Sequence, residues 1–157
     1  MTEKYGFIGL GNMGKPMAMN LARSGVDLTV YDLDQETLGD LEKLGAKIAD
    51  SAHQLGGECD IVEIVVMNDR QVEEVITGGE DGKGLLAGMK PGSLIVIHST
   101  VLPETCKRMA IAANEAGVGI IDAAVSGAEE RSIDGTLTLL AQCGCSTSQY
   151  SYGSKPW

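Results

Sequence analysis

Residues 5–14 read Tyr5-Gly6-Phe7-Ile8-Gly9-Leu10-Gly11-Asn12-Met13-Gly14. A short apolar run ends in G-x-G-x-x-G, and Met13, Met17, Leu21 and Ala22 then recur at helical spacing. This predicts a strand, a tight turn and the start of a helix. Gly9 permits the turn. Gly11, with no Cβ, lets a pyrophosphate approach the backbone, and Gly14 lets the helix pack closely on the strand. The N–H groups around Asn12 and Met13 lie at the positive end of the helix dipole, where an anion is favoured. A ligand-free glycine turn can carry the same letters, so the context decides.

That context is present. Asp27-Leu28-Thr29-Val30-Tyr31 reads as the next strand, and Asp32 closes it. An acid about 20 positions past the glycines is where a dinucleotide's ribose 2′-OH finds its acceptor. Asp32 repels a 2′-phosphate, and Leu33-Asp34-Gln35 supplies no Arg to hold one. The pattern favours NAD over NADP, with Gly9, Leu10, Gly11, Asn12, Met13, Gly14 and Asp32 as its site.

The 157 residues bound the chain to one domain, or one domain plus a fragment. A hydrophobic fraction of 43% with only 4% aromatic residues suits a buried parallel sheet flanked by helices. The net charge of −10, without a basic stripe, disfavours nucleic acid and anionic membranes as partners. The N-terminus enters a strand within a few residues and no apolar run is long enough to span a bilayer, so a cytoplasmic protein is expected. Cys59, Cys106, Cys143 and Cys145 show neither zinc spacing nor C-x-x-C, and the only histidines are His53 and His98. No metal is expected, and the cysteines read as reduced.

Pro16 fits the first turn of the first helix and Gly25 its end. A second helix is expected from Gln35 to Leu44, and a short strand at Lys47-Ile48-Ala49. The run from Asp60 to Met67 reads as a central strand, in which Glu63 requires either an exposed side or a partner. Asn68-Asp69 can cap a helix from Arg70 to Ile76. Residues 78–84 form a loop without the ligand pattern of a calcium site. Pro91-Gly92 turns into a strand from Ser93 to His98. A helix follows from Pro103 to Ala116, then a strand from Gly117 to Asp122. This alternation predicts an α/β fold with a doubly wound, mostly parallel sheet of Rossmann type. Ligands of such sheets lie beyond the carboxyl ends of the strands, where Asp32, Met67, Ser99, Thr100 and Ser126 fall.

The run Phe7-Ile8-Gly9-Leu10-Gly11-Asn12-Met13-Gly14-Lys15-Pro16-Met17-Ala18-Met19-Asn20-Leu21 resembles the opening of the β-hydroxyacid dehydrogenases. That family includes 3-hydroxyisobutyrate dehydrogenase and 2-hydroxy-3-oxopropionate reductase, relatives of 6-phosphogluconate dehydrogenase. Two further stretches are similar to it: Lys90-Pro91-Gly92 with His98-Ser99-Thr100-Val101 and Pro103-Glu104-Thr105, and Asp122-Ala123-Ala124-Val125-Ser126-Gly127 with Gly135-Thr136-Leu137. The resemblance covers residues 1–140. It implies that Val66 and Met67 border the adenosine side of the cofactor and that Thr100 lies near the nicotinamide ribose. It also implies that Ser126 and the Gly127 backbone hold a substrate carboxylate, for which a hydroxyl and a free N–H are suited. Read without the resemblance, Ser99-Thr100 could cap the helix that opens at Pro103, and Ser126-Gly127 could be a simple turn.

The sequence departs from the family at Ala124, which replaces a Pro, at Ala128, which replaces a second Gly, and at His98, which replaces an acid. Glu129 and Glu130 adjoin the proposed carboxylate site, with Arg131 to offset them. His98 could serve as a general base, although a strand-end histidine more commonly satisfies a hydrogen bond.

The family's reaction passes hydride between NAD and a small hydroxyacid while a lysine handles the hydroxyl proton. That lysine belongs to a helical domain after the nucleotide domain. Lys155 is followed by Pro156, which disfavours a helix, so no catalytic residue is assigned in this chain. Residues 1–140 are expected to be the dinucleotide-binding domain. Residues 141–157 are expected to be a divergent, disordered tail, from a truncated or frame-shifted product or a short protein in its own right. With the C-terminal helical domain absent, little turnover and a self-associating apolar surface are expected. The other readings are a stand-alone, non-catalytic dinucleotide-binding module and an imine-reductase-like relative.

Overall fold

The computed structural model describes residues 3–142. Seven strands form one sheet: β1 Lys4–Ile8, β2 Asp27–Tyr31, β3 Lys47–Ile48, β4 Ile61–Ile64, β5 Leu94–Ile97, β6 Gly119–Ser126 and β7 Thr138–Gln142. Seven helices join them: α1 Gly14–Arg23, α2 Gln35–Lys43, α3 Ala52–Glu58, α4 Asp69–Thr77, α5 Leu85–Gly88, α6 Pro103–Glu115 and α7 Ala128–Asp134. The strand order is β3-β2-β1-β4-β5-β6-β7. The first six are parallel, and β7 runs antiparallel to β6. The chain reverses direction across the sheet between β1 and β4, which opens a crevice at their carboxyl ends.

Alternate residues of the strands feed the two faces. Ile8, Val62, Ile64, Ile95, Ile97 and Ile120 pack with side chains of α3, α4, α5 and α6. Phe7, Leu28 and Val30 pack on the other face with Met17 and Ala18 of α1 and Leu38 and Leu41 of α2. Side chains start the helices where the sequence supplies them. Asp34 accepts from the Glu36 N–H, Ser51 from Gln54 and Asn68 from Gln71.

The central strand is shorter than expected, ending at Ile64 instead of Met67. Its continuation is diverted: the Val65 N–H still bonds to Ile8 O at 2.8 Å, but the Val66 N–H bonds to Ser99 Oγ at 2.8 Å. Glu63 is resolved in favour of a partner. It is fully buried, with Oε2 3.2 Å from His98 Nε2. Helices α3, α5 and α7 were not legible as elements, being at most seven residues long. Gly79–Asp81 forms a single 3-10 turn within the loop. Strand β6 begins at Gly119 and runs on to Ser126 because β7 pairs with its second half. Ala141 and Gln142, which the sequence places in the tail, are the last residues of β7. Cys143, Cys145 and Lys155 lie outside the described residues. No helix among the described residues is long and apolar enough to cross a membrane.

Candidate functional site

Three glycines build the turn after β1, each for a different reason. Gly9 adopts φ +94°, and a Cβ there would lie 1.9 Å from Val65 O. A Cβ on Gly14 would lie 1.9 Å from Gly9 O. The fold itself therefore forbids a side chain at either position. Gly11 differs: its φ is not in the left-handed region, and a Cβ there meets nothing within 4 Å. Neither backbone nor packing explains the glycine. It leaves a clear approach to the backbone at the amino end of α1.

That helix end is bare. Met13 is the N-cap of α1 with no side-chain capping bond, and the first turn contains no acid. By contrast, α2 and α4 are capped by Asp34 and Asn68 and carry Glu36 and Asp69 in their first turns. Lys15, in the first turn of α1, is paired with Asp40 at 2.8 Å. The Asp40 carboxyl is held below its ordinary range by hydrogen bonds from Lys15 and Lys43.

Asp32 sits beside the loop. Its Oδ2 accepts the Leu10 N–H at 2.5 Å, and its Oδ1 accepts the Asp34 N–H at 2.8 Å. Each oxygen takes one backbone donor, which fixes the carboxylate plane and leaves further lone pairs for a hydroxyl. The N–H of Leu10, a residue of the loop expected to hold the cofactor, is thus engaged by Asp32. Gly11, Asn12 and Met13 lie at the amino end of α1, where a helix dipole favours an anion. The residues present fit a dinucleotide: open backbone at Gly11, an uncapped helix start and an oriented acceptor at Asp32.

Val66, half-buried, and Met67, 87% exposed, follow β4, while Leu33, 84% exposed, follows β2. These apolar groups lie just past the carboxyl ends of the two strands that flank β1. Thr100 is exposed in a short loop pinned on both sides. Ser99, buried, bonds to the Val66 N–H, and Leu102 N–H donates to Asp69 Oδ1 at 2.8 Å. Asp69's carboxyl is held below its ordinary range first by the Thr105 hydroxyl and then by Leu102. The helix-capping reading of Ser99-Thr100 is not realised, because α6 begins at Pro103 with Leu102 as an N-cap that makes no side-chain bond. Ser99 instead braces the β4 end, a role that its strand-end position alone does not disclose.

Ser126 is the exposed last residue of β6, opposite Thr138 of β7. Gly127 follows at φ +140° and leads into α7, which is more than a simple turn. Ala128 opens that helix at φ +56°, in the left-handed region. Glu129 and Glu130 fall in the first turn of α7, where negative charge complements the helix dipole.

His98 is no solvent-facing base. Its Nδ1 lies 2.9 Å from Ala123 O and its Nε2 faces Glu63. A carbonyl can only accept, so Nδ1 donates its hydrogen to Ala123 O. Burial pushes the Cys59 and Cys106 thiols up to about 11. At neutral pH they are protonated and unreactive.

The sheet order, the glycine turn and the acid at the end of β2 define an NAD(P)-binding domain of Rossmann type. The chain belongs to the family of the NAD binding domain of 6-phosphogluconate dehydrogenase, whose family model matches residues 4–154. That match runs past residue 140. Among curated relatives, the NAD-dependent L-serine dehydrogenase of Pseudomonas aeruginosa is 38% identical over 138 residues, covering 88% of this chain and 45% of that protein. The 2-hydroxy-3-oxopropionate reductase of Escherichia coli is 41% identical over 137 residues, covering 87% and 46%. The crystal structure of 3-hydroxyisobutyrate dehydrogenase from Salmonella typhimurium superposes with a TM-score of 0.81 at 31% identity, covering 88% of this chain and 47% of that one. The chain thus spans about half the length of the curated relatives it matches.

Proposed function

We propose that this chain is the cofactor-binding half of an oxidoreductase that passes hydride between NAD and a small 3-hydroxyacid of the 3-hydroxyisobutyrate or tartronate semialdehyde kind. The observation that carries the reading is Gly11, a glycine that neither its φ nor its surroundings require. A bound pyrophosphate accounts for it. Gly9, Leu10, Gly11, Asn12, Met13 and Gly14 form the loop, with the N–H groups past Leu10 facing the phosphates. Asp32 accepts the ribose 2′-OH and repels a 2′-phosphate, which selects NAD over NADP. Val66 and Met67 border the adenosine, and Thr100 reaches the nicotinamide ribose. Ser126 and the Gly127 N–H take the substrate carboxylate.

Bound NAD supplies the hydride acceptor. The residues described here bind and orient; none is assigned to proton transfer, a contribution of about 10²–10⁴-fold in rate. The chain by itself is proposed to bind cofactor with little turnover. Its relatives' names support the hydroxyacid class: one is a serine dehydrogenase and another a 2-hydroxy-3-oxopropionate reductase. Exposed Ile133 and Leu140, on α7 and β7, favour self-association of the isolated chain.

The test is Gly11→Ala. The variant should fold with unchanged stability and bind NAD at least about tenfold more weakly, since the methyl occupies the pyrophosphate's approach. Undiminished binding by the variant would contradict the reading.

A further inference from the structure

Helix α7 stands between the two halves of the proposed site. Its amino end continues from Ser126 and Gly127, and its flank lies on α1, which carries the glycine loop. Ser132 is 1% exposed, and its Oγ donates to the carbonyl oxygen of Met13 at 2.8 Å. Met13 is the N-cap of α1. Two turns further along α1, Asn20 Nδ2 donates to Ser132 O at 2.9 Å and to Ile133 O at 3.3 Å. The same turn of α7 is therefore held at both ends of α1's exposed flank.

The other end of α7 is equally constrained. A Cβ on Gly127 would lie 2.6 Å from Arg131 Cδ and 3.0 Å from Arg131 Cβ, so the Gly127 backbone rests against the helix. Beyond α7, the Thr136 N–H returns to Arg131 O at 2.9 Å. Between α1, α7 and β7 only a void of about 10 Å³ remains, bounded by Met17, Asn20, Ser132 and Leu137 among others. That is roughly the space of one methyl group or water. These contacts connect the Met13 backbone to Ser132 and, through one short helix, to Gly127.

We propose that Ser132, seconded by Asn20, is a positioning residue that couples the dinucleotide loop to the segment bearing Ser126 and Gly127. The hydroxyl of Ser132 touches neither ligand. It sets the distance between the anion-binding backbone at Met13 and the carboxylate-binding backbone at Gly127, so that filling the first site orders the second. The identity of the two ligands rests on the function proposed above; the mechanical link does not.

Amide hydrogen exchange on the full chain tests this, for wild type, Ser132→Ala, Ser132→Thr and Asn20→Ala, each with and without saturating NAD. Without ligand, Ser132→Ala should speed exchange about tenfold at residues 127–135 and also at 11–17, while 61–64 and 94–97 keep their wild-type rates. NAD should slow exchange at 127–135 in wild type but not in Ser132→Ala, where only the loop responds. Ser132→Thr, which keeps the hydroxyl and places its methyl beside the void, should restore the wild-type pattern. Acceleration confined to 127–135, or equal NAD protection of 127–135 in wild type and Ser132→Ala, would overturn the coupling. Should Ser132→Ala fail to fold, Asn20→Ala carries the same comparison, since it cuts the second pair of bonds from the α1 side. If wild type does not bind NAD, the function proposal fails while the ligand-free exchange at 11–17 still decides the link.

Discussion

His98 Nε2 lies 3.2 Å from Glu63 Oε2 in the middle of the sheet, and both side chains are fully shielded from solvent. Strand register explains the meeting. Glu63 pairs with Val96 across β4 and β5, and His98 projects to the same face two residues further on. With Nδ1 bonded to Ala123 O, the pair ties β4, β5 and β6 together just below the crevice. Truncating one member removes this bond from a fully buried position. His98→Ala is expected to cost about 3 kcal/mol in chemical denaturation, as for broken buried pairs. A double replacement, Glu63→Leu with His98→Leu, should recover most of that loss. A double variant no more stable than His98→Ala would show that the pair is not the source of the cost.

The three glycines of the turn should separate cleanly. Gly9→Ala and Gly14→Ala each place a methyl 1.9 Å from a backbone oxygen, and Gly9 adds a left-handed φ. Each should destabilise by about 3 kcal/mol or more, in the range of severe core substitutions. Gly11→Ala should lie within about 0.5 kcal/mol of wild type. Thermal or urea denaturation of the three proteins checks the ranking.

Ala128 holds a backbone conformation suited to glycine, at φ +56°. A side chain in that region costs about 1–2 kcal/mol, partly offset by glycine's greater unfolded-state entropy. Ala128→Gly is therefore expected to stabilise the chain by about 1 kcal/mol. A neutral or destabilising result in urea denaturation would contradict the strain.

Burial raises the Cys59 and Cys106 thiols from 9.0 to about 11. The folded state thus disfavours the thiolate. The stability contributed is fully present below pH 9, the unfolded value, and is lost as pH rises through about 11. Alkylation mapped by peptide mass should be slow at both residues at pH 8, and should rise steeply in denaturant. Fast labelling of Cys59 in the folded protein at pH 8 would contradict the burial.

Long, strongly patterned elements were legible in the chain: β1, β2, α2, α6 and the apolar core of β4 and β5 follow from period and punctuation. The glycine loop and Asp32 were legible because spacing alone brings them together. Three things were not. Helices α3, α5 and α7 are too short to show a period. Strand β7 pairs antiparallel with β6 through contacts that no local pattern announces. Glu63 and His98 lie 35 positions apart, and only the β4–β5 register makes them neighbours. Read without the resemblance, Ser126-Gly127 was a simple turn, whereas Ser126 ends β6 and Gly127 leads into α7.

The most direct test of the central claim is a calorimetric titration of the chain with NAD and with NADP, beside Asp32→Ala. Saturable NAD binding, weaker NADP binding, and a gap that closes in the variant are the expected result, since the role proposed for Asp32 is to accept the 2′-OH and repel a 2′-phosphate. Folded protein that binds neither nucleotide, or that binds NADP as tightly as NAD with Asp32 in place, would contradict the account.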